Sequence, residues 1–296
     1  MEIALALACS HAGLIISRKD RAPAGQSDHF YATFEALRGE IAALRPDAIV
    51  ILATDHMKAW TLAGGVPQYA VGVGPTAHGL GDGGVAPRDI AVHQEFAVAL
   101  LEGCVSQGAD IAFSEDVRID HSFVVPLTLL DPDGAIPIVP VTQNCNVPPR
   151  PTFERSLAFG QQARKALDDV DGRIVFVATG GLSHWVGNDA RRAFMLRRPG
   201  TRLPDLANHP VELEETGPVN EKFDTAFLSA AQDARLPQFL SEWTDERLER
   251  EAGNGAHELR NWVSAYGFAG GGPAEILCYE PVDEWLTGVG VVRFKV

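Results

Sequence analysis

No two cysteines of this chain lie at redox or metal-site spacing. The four present, Cys9, Cys104, Cys145 and Cys278, are scattered along 296 residues without a CxxC pair. That excludes a disulfide framework and reads as reduced thiols in a cytoplasmic protein. Positive charge is scarce as well, with 25 Lys and Arg against 39 Asp and Glu and a formal net charge of −14. Nucleic-acid phosphates and anionic membrane surfaces both need clustered cations, so neither is an expected partner. No apolar run approaches the roughly 20 residues needed to span a bilayer. The start, Met1-Glu2, lacks the positive segment of a signal peptide.

Several motifs are missing too. The glycine run Gly74–Gly84 has neither GxGxxG spacing nor the strand–helix context of dinucleotide binding, and there is no Walker lysine. Ser183 does not sit in GxSxG, because Trp185 stands two positions after it. Phosphate cofactors and serine-based hydrolysis are therefore set aside.

What is present is a folded, soluble α/β pattern: 46% of residues are hydrophobic and 22% charged, enough to fill a substantial core. Strands are expected at Ile3–Ala8, Asp47–Ala53, Tyr69–Val73, near Ile111, at Ile136–Val141, Arg173–Ala178, Ala274–Tyr279 and Val291–Val296. Between them, helical stretches cover His29–Leu44, Asp89–Gln107, Val124–Leu130 and Thr152–Leu167. Gly74–Val85 reads as a glycine-rich loop, and the charged, proline-rich Arg191–Pro218 as a long lid-like loop. Helices follow at Asn220–Asp233, Leu236–Glu242, Asp245–Glu251 and Ala256–Gly267. Continuous apolar strands alternating with helices predict one α/β domain over residues 1–296, with a largely parallel central sheet flanked by helices. No repeat or linker marks a second domain.

Four of the nine histidines, His11, His56, His121 and His184, stand just past strand-like runs. In open α/β sheets ligands bind beyond the carboxyl ends of the strands, so these side chains can converge on one metal or acid–base centre. Two neutral imidazoles and one carboxylate make a metal site with open positions, suited to Fe(II) oxygenases and to catalytic zinc. His11 and His56 are the best imidazole candidates, and Asp55 beside His56 could orient it. The third ligand stays open between His257 and Glu258, which diverge by about 100° on a helix and cannot both face one ion. Glu258 could equally serve the first helical turn.

The segments Ser10-His11, Asp55-His56, Val71-Gly72-Val73-Gly74, Asp120-His121, Gly180-Gly181-Leu182-Ser183-His184 and His257-Glu258 with Trp262 together resemble the class III extradiol ring-cleavage dioxygenases. This is the family of the protocatechuate 4,5-dioxygenase catalytic subunit and 2,3-dihydroxyphenylpropionate 1,2-dioxygenase, and the second type is the nearer. Each segment is short, but the set lies in the family's order over nearly the whole chain. The resemblance implies Fe(II) held by His11, His56 and Glu258, with His121 and His184 as the acid–base pair. It implies meta cleavage of a catecholic ring by O2 to a 2-hydroxymuconic semialdehyde type of product. It also implies a homo-oligomer, with a small helical accessory subunit in some members, and it leaves the ring substituent undefined. The competing readings are a metal-dependent hydrolase on the same residues and a non-enzymatic binding module of the same fold.

Other residues are weighed against plainer roles. His78 reads as a loop residue, His29 and His93 as surface residues of helices, and His209 as a loop residue of the lid-like segment. Arg191, Arg192, Arg197 and Arg198 are either carboxylate partners or a solvated charged face. Cys9 reads as a small packing residue. Phe123, Trp185 and Trp262 are either pocket-lining or core.

Overall fold

The structure, a computed structural model, describes residues 1–185 and 217–296. The chain begins with β1 (Glu2–Cys9), α1 (Leu14–Ser17), α2 (Ala24–Leu44), β2 (Ala48–Ala53), β3 (Tyr69–Gly72), β4 (Thr76–Gly79) and β5 (Arg88–Ala91). It continues through α3 (Gln94–Ser106), β6 (Ile111–Ser114), β7 (Val117–Ile119), α4 (His121–Leu130), β8 (Ile138–Gln143), α5 (Phe153–Ala166) and β9 (Arg173–Thr179). The C-terminal part holds α6 (Glu221–Gln232), α7 (Leu236–Leu240), α8 (Asp245–Ala252), a 3-10 turn over Asn254–Glu258, α9 (Leu259–Phe268), β10 (Ala274–Val282) and β11 (Thr287–Phe294).

Among the described residues the main sheet has eight strands in the order β10-β11-β1-β9-β2-β8-β3-β6. Its centre, β1, β9, β2 and β8, is parallel throughout, as the continuous apolar runs require. The flanks depart from that rule: β3 runs antiparallel to β8, and β11 and β10 add antiparallel strands beyond β1. Every residue of β2 and β8 is buried, so both faces of the sheet are covered. One helical group, α9 with α5 and α3, packs on β1 and β9; another, α2 with α4, lies against β2 and β10. The carboxyl ends of the parallel strands share one edge, and the loops leaving β1, β2 and β9 carry His11, His56 and His184.

Three local expectations are corrected. The stretch Gly74–Val85 is not all loop: β4 lies within it and pairs with β5 and β7 in a separate three-stranded sheet. The helix expected from Asp89 starts at Gln94, because Arg88–Ala91 is used as β5. His93 is consequently the N-cap rather than an interior residue, and its Nδ1 accepts from the Phe96 N–H at 3.4 Å. The short helix expected from Val124 starts at His121, capped by the Asp120 carboxylate on the Ser122 N–H. His121 thus follows β7 of the small sheet, not a strand of the main one. Most of the lid-like segment lies outside the described residues, and with it Arg191, Arg192, Arg197, Arg198 and His209. No described helix is long and apolar enough to cross a membrane.

Candidate metal and acid–base centre

The strand ends deliver their histidines to one carboxylate. His11 Nε2 lies 3.2 Å from Glu258 Oε2, His56 Nε2 lies 3.2 Å from Glu258 Oε1, and His184 Nε2 lies 3.6 Å from Glu258 Oε2. His121 completes the cluster, with its ring stacked on His56 at 4.4 Å between centroids and edge-on to His11 at 5.8 Å. Donor atoms of His11, His56 and His121 fall within 4.8 Å of one another. The structure therefore brings together all five residues singled out from the sequence.

The opposite nitrogen of each ring is already committed. Thr179 Oγ1 donates to the Ser122 carbonyl at 2.8 Å, which leaves its lone pairs to accept from His11 Nδ1 at 3.0 Å. Asp120 Oδ2 takes His56 Nδ1 at 3.0 Å, and the Leu182 carbonyl takes His184 Nδ1 at 2.8 Å. Carboxylates and carbonyls only accept, so these rings carry their proton on Nδ1 and turn Nε2 lone pairs toward Glu258. Lone pairs facing a carboxylate at such distances need a shared cation, either protons or one metal ion. Two imidazoles and a carboxylate that bind this way leave further coordination positions open, and they fit a divalent transition metal. The partners on Nδ1 are the kind that orient metal-binding histidines.

Electrostatics follow the burial. Burial lowers the His11 pKa and prevails over the nearby Glu258 charge. For His56, burial is again the largest single influence and lowers the pKa. The Asp120 and Glu258 carboxylates together outweigh it and hold the pKa well above the usual histidine value. Burial opposes ionisation of Glu258, yet His11, His56 and His184 together keep its carboxyl well below the ordinary range.

Glu258 ends the 3-10 turn ahead of α9, and the Gly181 N–H donates to its Oε2 at 2.8 Å. It makes no side-chain cap for α9, so the capping reading does not hold. His257 is turned away from the cluster. Its Nε2 donates to the partly buried Glu249 Oε1 at 2.7 Å and its Nδ1 accepts from the buried Arg260 Nη1 at 2.7 Å. Sequence left these two neighbours open, and their partners separate them. The His184 ring fits a slot that only glycine permits, since a Cβ on Gly255 would come within 2.1 Å of its Nε2.

Two supporting carboxylates, Asp120 and Asp82, take orienting roles that the sequence does not assign, and Asp55 does not orient His56. Asp55 accepts from the Lys58, Ala59 and Trp60 N–H groups and organises its own turn, whereas Asp120 orients His56. Asp82, in the glycine-rich loop, accepts from His121 Nδ1 at 2.7 Å. Burial works against its ionisation, but the His121 hydrogen bond and charge hold its carboxyl below the usual range. In the sequence its one signal is an aspartate directly before a glycine pair.

Most residues given plain roles keep them, but His78, expected in a loop, lies on strand β4, which pairs with β5 and β7. Ser183 Oγ donates to Asp224 and accepts from the Asn220 N–H, so it is held in a structural network. Cys9 is buried, and burial pushes its thiol up to about 12. Trp262 is fully buried with its Nε1–H on the Gly180 carbonyl, and Phe123 is core. His78, on β4, pairs with Asp89 at the surface, and His29 pairs with Glu280.

A family model described as the catalytic LigB subunit of aromatic ring-opening dioxygenase matches residues 5–290. Curated proteins of Escherichia coli, from strain K12 and from strain E24377A, are 30% identical over 286 residues, covering 89% of this chain and 90% of theirs. They are named 2,3-dihydroxyphenylpropionate/2,3-dihydroxicinnamic acid 1,2-dioxygenase. The crystal structure of an uncharacterized Escherichia coli K12 protein is similar in fold, with a TM-score of 0.56 at 16% identity, covering 88% of this chain and 91% of that one.

Proposed function

Because this chain belongs to the family of the catalytic LigB subunit of aromatic ring-opening dioxygenases, we propose that it holds Fe(II) through His11, His56 and Glu258 and cleaves a catecholic ring with O2 next to its paired hydroxyls. Both oxygen atoms enter the product, a ring-opened 2-hydroxymuconic semialdehyde type. One observation carries the reading: Nε2 lone pairs of His11 and His56 converge on the Glu258 carboxylate while each Nδ1 is tied to an acceptor. Fe(II), when bound there, supplies a centre that gathers catechol and dioxygen and lets electrons pass between them.

The protein's own groups handle the protons. A catechol must lose hydroxyl protons to bind as an anion, and a base with a pKa near operating pH does this best. His184 offers a free Nε2 beside the Glu258 carboxylate, with its ring fixed by the Leu182 carbonyl. His121, stacked on His56, offers the matching donor for the step in which the ring opens. The two are assigned jointly as the acid–base pair. Acceptors on both Nδ1 atoms, the Leu182 carbonyl and the Asp82 carboxylate, keep these rings from swivelling, so proton transfer occurs at Nε2.

The name those relatives carry puts catechols with a short carboxyl-bearing side chain at the head of the substrate panel. Cytoplasmic location, supported by four buried free cysteines, and assembly as a homo-oligomer, with or without a small helical subunit, belong to the same proposal. Light scattering of the purified protein reads the assembly directly. The decisive experiment is anaerobic loading with Fe(II), then oxygen uptake and yellow-product absorbance with substituted catechols. Zinc-dependent hydrolysis without oxygen uptake would replace the proposal with a hydrolase.

A further inference from the structure

The small sheet and the glycine-rich loop converge on one side chain of the centre. β4 and β7 run parallel with Gly79 opposite Ile119, and the Leu80 N–H donates to the Ile119 carbonyl at 3.0 Å. Two chains that leave a parallel pair side by side carry Asp82 alongside His121. The turn that aims Asp82 is built from Gly81 (φ +72°), Gly83 (φ +67°) and Gly84 (φ +85°), conformations that side-chain-bearing residues rarely adopt. Space excludes side chains there as well: a Cβ on Gly83 would lie 2.5 Å from the His121 Cβ, and one on Gly81 2.5 Å from Pro87. Asp82 Oδ2 then takes the His121 Nδ1–H at 2.7 Å, while Oδ1 is buried without a hydrogen-bond partner among the described residues. A loop this constrained, with half its carboxylate unsatisfied, serves something other than stability.

We propose that Asp82 is the positioning residue of His121, fixing the Nδ1–H tautomer and the ring's orientation so that Nε2 is the nitrogen offered to substrate. The proposal rests on the acid–base reading of His121 given above. His121 has no backbone acceptor of the kind that holds His184, so among the described residues its tautomer is set by Asp82 alone. Loss of that acceptor frees the ring to carry its proton on Nε2 and to tilt off His56.

The test compares wild type, Asp82→Ala and Asp82→Asn as full-length protein. In the zinc-loaded, diamagnetic form, 15N NMR of the His121 ring, assigned with His121→Gln, reads the tautomer without any turnover. Wild type should show protonated Nδ1, and Asp82→Ala a mixture or the Nε2–H form. In the Fe(II) enzyme, Asp82→Ala should lower kcat by about 10–100-fold, the usual cost of losing an orienting partner, with KM and iron content little changed. Asp82→Asn should recover part of that loss, because its amide oxygen still accepts from Nδ1. An unchanged tautomer in Asp82→Ala, unchanged kcat, or equal losses in both variants would overturn the proposal. If wild type opens no ring, the dioxygenase reading has failed, and the NMR arm alone decides whether Asp82 sets the ring.

Discussion

Asp120 holds His56 at two points, its Oδ2 accepting from the backbone N–H at 2.7 Å and from the ring Nδ1 at 3.0 Å. The other oxygen, Oδ1, accepts from the Ser122 N–H and hydroxyl at the start of α4. One buried carboxylate therefore joins the loop after β2 to the helix that begins with His121, and both imidazoles inherit their placement from it. Burial disfavours its charge, yet His56 and His121 drive its pKa far below the ordinary carboxylate range.

Replacing Asp120 should accordingly separate metal affinity from folding. Asp120→Asn keeps an acceptor for the helix cap but loses the charge facing His56, and iron affinity should weaken by about 10–100-fold. Asp120→Ala should add a capping loss of about 1 kcal/mol. Competition with a chelator measures the first effect and urea unfolding the second. Undiminished iron affinity in both variants would contradict the orienting role.

The neighbours His257 and Glu258 should behave oppositely. Glu258→Gln should lose iron and activity together, because the carboxylate that bridges His11 and His56 is neutralised. His257→Ala should retain iron. It strands the buried Arg260 guanidinium and the partly buried Glu249 carboxylate that now share its ring, for a cost of about 1–3 kcal/mol. Iron content and unfolding free energy of the two variants give the comparison, and iron loss in His257→Ala would reverse the assignment.

Much of this architecture could be read from local pattern. β1, β2 and β9 are continuous apolar runs, and the crevice rule for parallel sheets turned their ends into a site containing His11, His56 and His184. The small sheet was not readable, since β4, β5 and β7 have only three or four residues each and are stabilised by pairing between distant segments. The same non-locality hid the supporting carboxylates. Asp55 adjoins His56 in sequence but caps its own turn, while Asp120, 64 residues away, supplies the acceptor. Period and adjacency report local geometry. They say nothing about which distant acceptor a ring nitrogen will find.

His184 should be needed for rate and not for metal. It stands 3.6 Å from Glu258 Oε2, farther than His11 or His56, and its ring is fixed by a backbone carbonyl. His184→Ala should retain iron while kcat falls by about 10²–10⁴-fold, the usual contribution of a general acid or base. Iron analysis beside oxygen-electrode kinetics checks both halves. Loss of iron in this variant would make His184 a ligand instead.

A final prediction concerns pH and a carboxyl outside the metal cluster. Asp224 is fully buried and accepts from the Ser183 N–H at 2.7 Å, the Ser183 hydroxyl at 2.8 Å and the Tyr279 hydroxyl at 3.0 Å. Burial outweighs these hydrogen bonds and raises its pKa from 3.8 to about 6. A carboxyl whose folded pKa is raised binds its proton more tightly in the native state than in the unfolded chain. Its stabilising contribution is complete below the unfolded value near pH 4 and is lost as pH rises through about 6. A shift of that size corresponds to about 3 kcal/mol. The difference in unfolding free energy between wild type and Asp224→Asn should therefore shrink by up to about 3 kcal/mol from pH 4 to pH 7, because the amide does not titrate. Urea unfolding of both proteins across that range measures it, with the variant's own destabilisation cancelling in the comparison. A difference that stays flat with pH would show that the Asp224 carboxylate is ionised in the native state throughout, and that the Ser183 and Tyr279 hydrogen bonds, not burial, set its charge.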